Sequence, residues 1–138
     1  MVDIEEADAI IAKWVERLSL GDWRVAVSPD PPPPDDRSRI DINHTAKMAA
    51  IRVRPDMPAS QVEGAIVHEL LHLVTTQMEW VVKPILQSYA PRAALELIEA
   101  QWDLAEHRLI VSVLRGLGFE RTEWRPDDEP FASAFPST

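Results

Sequence analysis

Apolar residues in the first twenty positions recur at intervals of three and four, which is the period of a helix lying against a core. The stripe consists of Ile4, Ala7, Ile11, Trp14, Val15 and Leu18. We predict a helix over residues 3–19, with Asp3 and Glu6 as its N-terminal capping pair and Gly21 as its stop.

After the first helix, the spacing of apolar residues changes from the helical period to strict alternation. Residues 23–28, 39–43 and 49–55 each place apolar side chains at every second position, which predicts three short strands. The short connection between the second and third segments allows an antiparallel pair. Four consecutive prolines at 31–34 exclude a helix or a central strand there and indicate a stiff surface loop.

Two long helices follow the strands. The first covers about residues 59–78 and opens on Ser60 and Glu63, which have the spacing of a capping box. The second runs from Pro91 to Leu117. Helix, three strands, helix, helix is the order of an α+β domain, with the helices on one face of a small three-stranded antiparallel sheet.

Length and composition narrow the class of protein. The chain has 138 residues, so we expect a single domain over 1–119 and a loosely ordered or docked tail over 120–138, which is rich in acids and proline. A net charge of -9 disfavours nucleic acid and anionic membranes as partners. The acidic start is unlike a signal peptide, and no apolar run approaches the ~18 residues of a membrane span, so we expect a cytoplasmic protein.

The strongest candidates for metal-binding and catalytic residues lie in the pattern His-Glu-Leu-Leu-His at 68–72. On a helix, His68 and His72 lie on one face, roughly 5–6 Å apart at Cβ, so both imidazoles can bind one zinc ion. Glu69 lies about 100° around the helix and can reach a water at the metal as a general base. The absence of cysteine excludes a thiolate site.

The flanking positions of this helix favour a site over an incidental histidine pair on a solvated face. The opposite side is broadly apolar. The histidine side carries residues that are small or polar and would leave a cleft open, namely Gln61, Ala65, Thr75 and Thr76. We therefore predict Zn2+ as the cofactor, and the ligand types disfavour iron, manganese or nickel without excluding them.

A catalytic zinc site needs a third protein ligand, which here must be His, Asp or Glu. The last helix carries an acidic stripe that includes Glu99, Asp103 and Glu106, with His107 just off it. Glu106 is our first choice, because it enters the most apolar section of the helix, where a carboxylate needs a partner. Glu99 and then Asp103 are the alternatives, and a solvated acidic face would explain the stripe without a metal. Tyr89 could stabilise an oxyanion, or could be a packed loop residue.

The motif on a helix, preceded by the strand Ala-Ala-Ile-Arg-Val-Arg-Pro, resembles the zincin metallopeptidases. An acidic third ligand is similar to the gluzincin branch, and the element order resembles the small phage- or prophage-associated minigluzincin-like peptidases. The resemblance covers roughly residues 20–117. It implies that the preceding strand is a sheet edge that binds an extended peptide, through Ala50, Ile51, Arg52 and Val53. The Asn-Glu-x-x-x-Asp motif of larger gluzincins is not present.

The leading hypothesis is therefore a zinc metallopeptidase that acts on a peptide or protein. The alternative is a non-catalytic zinc-binding module, regulatory or accessory to a phage, with a zincin-like fold. Glu69 disfavours that alternative, since a module without turnover needs no base. A DNA-associated zincin-like protein is disfavoured by the net charge. The sequence does not indicate an oligomeric state.

Overall fold

The computed structural model describes residues 2–89 and 91–119, and it has the expected α+β architecture. The expected tail over 120–138 lies outside the described residues. The elements are α1 (Ile4–Arg17), β1 (Arg24–Val27), β2 (Ser38–Asn43), β3 (Met48–Val53), α2 (Ala59–Tyr89) and α3 (Arg92–Gly116). Within the described residues, no helix is both long and apolar enough to cross a membrane. The cytoplasmic location stays a prediction.

Helix α1 begins where the sequence indicates and ends earlier. The Asp3 carboxylate accepts hydrogen bonds from the amides of Glu5 and Glu6 at 2.9 and 3.4 Å, which confirms it as the N-cap. The helix ends at Arg17 rather than near Gly21, because Ser19 adopts a left-handed conformation with φ of 58°. That conformation turns the chain back toward the sheet.

The sheet is mixed, so the prediction of a wholly antiparallel sheet is wrong. Strands β2 and β3 pair antiparallel as expected, but β1 pairs parallel with β3, and the strand order is β1-β3-β2. The proline-containing segment 28–37 is long enough to carry the chain past one strand position. The tight turn after β2 then returns β3 into the gap, in the direction of β1. The prediction assumed that strands adjacent in sequence would pair, and β1 and β2 do not.

The position of β3 also overturns one site prediction. We expected a peptide-binding edge strand formed by Ala50, Ile51, Arg52 and Val53. Ala50 instead pairs with Ala26 of β1 and Asp41 of β2, so β3 is the central strand. Where β3 has neighbours on both sides, from Met48 to Ile51, it has no free backbone groups to offer a peptide. Arg52 and Val53 extend past β1 and pair with β2 alone. Among the described strands, the edges belong to β1 and β2.

Helix α2 is longer than predicted and begins differently. It continues past residue 78 to Tyr89, through Pro84, which removes only one backbone donor. It also starts at Ala59, so Ser60 lies inside the helix and cannot cap it. Glu63, the other half of the expected capping box, instead accepts a hydrogen bond from Trp14 Nε1 at 2.8 Å and pairs with Lys13 at 2.5 Å. These contacts fasten α1 to α2.

The core surrounds the first half of α2. This helix packs against α1, β2, β3 and α3, and the apolar side of its first half, from Val62 to Leu73, is buried. The largest side chains with less than 2% exposure are Ile11, Leu20, Ile51, Ile66, Leu70, Leu73, Ile110, Leu114 and Val67. Ile110 and Leu114 lie on α3, so the same core that holds α2 also fixes the end of α3 beside it.

We expect Leu70→Ala to lower the free energy of unfolding by about 2–5 kcal/mol, because it leaves a cavity in this core. Leu97→Ala is the matched control, since Leu97 is 63% exposed and its loss should change the free energy by less than about 0.5 kcal/mol. Urea denaturation followed by tryptophan fluorescence measures both. Equal effects for the two variants would contradict the described core.

Candidate metal site

Helix α2 presents both motif histidines in one place. The ring centroids of His68 and His72 lie 4.8 Å apart, with an angle of 56° between the ring planes. Their side chains are 17% and 21% exposed, so the rings border solvent while their backbones lie on a buried helix. The spacing of four residues has therefore put two imidazoles side by side, as the sequence indicated.

Glu69 is buried beside this pair. Its Oε2 accepts a hydrogen bond from the Ser38 hydroxyl at 2.8 Å and lies 3.4 Å from His68 Nδ1. Burial acts to raise the pKa of Glu69, but the hydrogen bond and charge of His68, the charge of His72 and the Ser38 hydrogen bond together hold the pKa below its ordinary value. Glu69 is thus a carboxylate at neutral pH, which a general base must be.

Among the three acids predicted on α3, Glu106 is the one that contacts the motif. Its Oε1 lies 2.6 Å from His72 Nδ1. Glu99 instead pairs with Lys83 at 3.2 Å and is half-exposed. The side chain of Asp103 is exposed, and Asp103 contacts His107 through its backbone carbonyl oxygen. The ranking of Glu106 above the other two is consistent with these positions.

The pair formed by His72 and Glu106 is electrostatically coupled. Burial acts to lower the pKa of His72, but the hydrogen bond that His72 donates to Glu106 and the charges of Glu69 and Glu106 raise it overall. Burial likewise acts to raise the pKa of Glu106, and the hydrogen bond and charge of His72 outweigh it, so that pKa is lowered. Each group therefore favours the charged form of the other, as in a charge-assisted hydrogen bond.

The structure adds two residues that the sequence did not assign to the site. Ser38 is the first residue of β2, and a lone serine in a strand carries no signal of such a contact. His107 is the second: its ring centroid lies 5.3 Å from that of His72, with an angle of 73° between the ring planes. The position of His107 next to Glu106 on α3 could have suggested it.

The side chains near the motif are of the types that bind zinc, although His72 and Glu106 are hydrogen-bonded to each other in this structure. Two imidazoles, a carboxylate and a further imidazole are the ligands that zinc prefers in a site without cysteine. Within the described residues, no three His, Asp or Glu side chains already converge on a common metal position. Nδ1 of His72 and Oε1 of Glu106 lie 2.6 Å apart, so these two atoms could not both bind one tetrahedral zinc, whose donor atoms lie about 3.3 Å apart.

Two expectations about the surroundings of the motif are wrong. Ala65 and Thr75 are buried rather than lining an open cleft, because neighbouring elements cover that part of α2. Tyr89 cannot stabilise an oxyanion at this site. It is the last residue of α2, 87% exposed, and seventeen positions beyond His72 on the same helix, which corresponds to about 25 Å.

Comparison of the chain with protein-family models, with curated proteins and with solved structures finds no match. The resemblance to zincins therefore stays a prediction based on the motif and its setting.

We expect the contact between Ser38 and Glu69 to contribute about 1.5–3 kcal/mol to folding, as hydrogen bonds to charged groups do. A double-mutant cycle with Ser38→Ala and Glu69→Ala, read by urea denaturation of chelator-treated protein, measures that coupling. Pairing Glu69→Ala with Ser60→Ala is the control, since Ser60 is exposed on the same helix and should show no coupling. Additive effects of Ser38→Ala and Glu69→Ala would contradict the contact.

Proposed function

We propose that the chain is a zinc-dependent metallopeptidase. The observation that carries the proposal is the arrangement on α2: the adjacent imidazoles of His68 and His72 lie on the same stretch of helix as the buried Glu69, whose carboxyl group lies 3.4 Å from the ring of His68. Burying a carboxylate without a role costs several kcal/mol, and a core built for stability alone has no need of one. Its place beside two side chains that can bind a metal supports a role as a base.

His68 and His72 would hold the ion, with a third ligand from α3, where Glu106 and His107 both reach the motif. Bound zinc supplies a Lewis acid that makes water a competent nucleophile near neutral pH. Glu69 would accept a proton from that water as the general base. Ser38 and His68 both contact Oε2, so they orient the carboxylate, and we assign the proton transfer to Oε1.

Strand β2 is the element that suits an extended substrate. It is an edge of the described sheet, and its first residue, Ser38, already contacts Glu69. A peptide that paired with the outer edge of β2 would run past the base with its main chain held by hydrogen bonds. We therefore assign to β2 the peptide-binding role that the sequence analysis predicted for β3. An edge strand beside the base favours an extended peptide over a small molecule as the substrate.

Zinc-loaded wild type should hydrolyse unstructured protein such as labelled casein, and Glu69→Gln should lower that rate by at least about 100-fold while keeping its zinc, since the base is not a ligand. Zinc content by mass spectrometry and release of labelled peptides measure the two properties. Glu96→Gln, an exposed acid on α3, is the matched control and should behave as wild type.

Two results would contradict the proposal. Loss of zinc in Glu69→Gln would make Glu69 a ligand rather than a base. A zinc-loaded wild type that hydrolyses no sequence in a diverse peptide library would instead favour the alternative, a zinc-binding module without turnover.

A further inference from the structure

We propose that His107 is the third zinc ligand and that Glu106 acts through His72 as a positioning residue, without binding the metal. The inference rests on the proposed zinc site and assigns its third ligand to a different residue from the one the sequence favoured. It is carried by three observations: the hydrogen-bond partner of each ring, the distances between rings, and the contact that Glu106 already makes.

The partner of His107 determines its tautomer. Nδ1 of His107 lies 2.8 Å from the backbone carbonyl oxygen of Asp103. A carbonyl oxygen only accepts hydrogen bonds, so Nδ1 carries the hydrogen. In a neutral imidazole the other nitrogen, Nε2, then holds the lone pair, which is the form that binds a metal. Metal-binding histidines commonly donate their second ring N–H to a backbone carbonyl in this way.

The two motif histidines share this orientation. Nδ1 of His72 faces the carboxylate of Glu106 at 2.6 Å, and Nδ1 of His68 lies 3.4 Å from the carboxylate of Glu69. A carboxylate accepts hydrogen bonds, so Nδ1 of His72 carries hydrogen, and in the neutral form of the ring Nε2 holds the lone pair. Nδ1 of His68 also faces a carboxylate, which favours the same tautomer. Three imidazoles from two helices are therefore set to present the same kind of nitrogen.

The ring separations agree with a shared ion. Imidazoles that bind one tetrahedral zinc through Nε2, with Zn–N bonds of about 2.0–2.1 Å, have ring centroids about 5.2 Å apart. The centroids of His68 and His72 are 4.8 Å apart, and those of His72 and His107 are 5.3 Å apart. The rings of His68 and His107 thus each lie near the required distance from the ring of His72. Among the described residues the three side chains do not yet converge on one position, so zinc binding would require them to rotate.

Glu106 is better placed to hold His72 than to bind the metal. As a ligand it would have to leave its 2.6 Å hydrogen bond to Nδ1 of His72. As the acceptor for Nδ1 it keeps that bond, fixes the ring and raises the basicity of Nε2. A carboxylate that orients a metal-bound histidine in this way is a frequent partner in zinc sites.

The test is competitive zinc titration of chelator-treated protein against a chromophoric chelator, with X-ray absorption at the zinc edge to count imidazole ligands. The variants are His107→Ala, Glu106→Gln and, as the matched control on α3, Glu99→Gln. Circular dichroism and urea denaturation check that each variant folds. His107→Asp is a second variant that should recover part of the affinity, since aspartate can also bind zinc.

We expect wild type to bind one zinc with three imidazoles. His107→Ala should lose more than about 100-fold in affinity and one imidazole from the count, whereas Glu106→Gln should lose about 10–100-fold and keep all three, as changes of such partners do. Glu99→Gln should match wild type.

A wild type with two imidazoles, unchanged affinity in His107→Ala and abolished binding in Glu106→Gln would overturn the inference and leave the proposed function standing, with Glu106 as the ligand. A wild type that binds no zinc would overturn both.

Discussion

The buried carboxylate of Glu69 is the constraint around which the rest of this structure is arranged. It lies on the most enclosed stretch of α2, 6% exposed, with Leu70 and Leu73 beside it at 0%. An isolated charge in such surroundings would cost several kcal/mol, so its partners must be held in place by the fold. Ser38 comes from β2 and His68 from the preceding position of α2. The hydrogen bonds that make this charge tolerable therefore also fix the sheet against the helix.

Helix α3 completes the site because the core holds it there. Ile110 and Leu114 are buried in the same core as the apolar side of α2. One turn before them, Glu106 and His107 come beside His72. The residues that anchor α3 in the core and the residues that contact His72 thus lie on consecutive turns of one helix. A shift of α3 along α2 would separate Glu106 and His107 from the motif. The burial of Ile110 and Leu114 therefore determines where Glu106 and His107 lie.

Much of this could be predicted from local sequence. The period of apolar residues indicated all six elements, the N-cap Asp3 was identified, and the spacing of His68 and His72 placed both rings on one face.

The errors concern contacts between residues that are far apart in the sequence. Nothing local tells β1 to pair with β3 rather than β2, and so the sequence could not show that β3 is central. The predicted capping box was wrong because α2 begins at Ala59, before Ser60, and Glu63 instead accepts a hydrogen bond from Trp14, forty-nine positions away. Ser38 and His107 were missed as site residues because each reaches the motif only when its own element, β2 or α3, packs against α2.

Anomalous diffraction at the zinc absorption edge, from crystals of the full chain grown with zinc, tests the central claim most directly. The account requires one strong peak about 2.0–2.1 Å from Nε2 of both His68 and His72, with a further side chain from α3 in contact with it. A map without a peak between these two histidines, or with zinc only at exposed acidic side chains, would contradict the account. The histidine pair would then be an incidental feature of a buried helix.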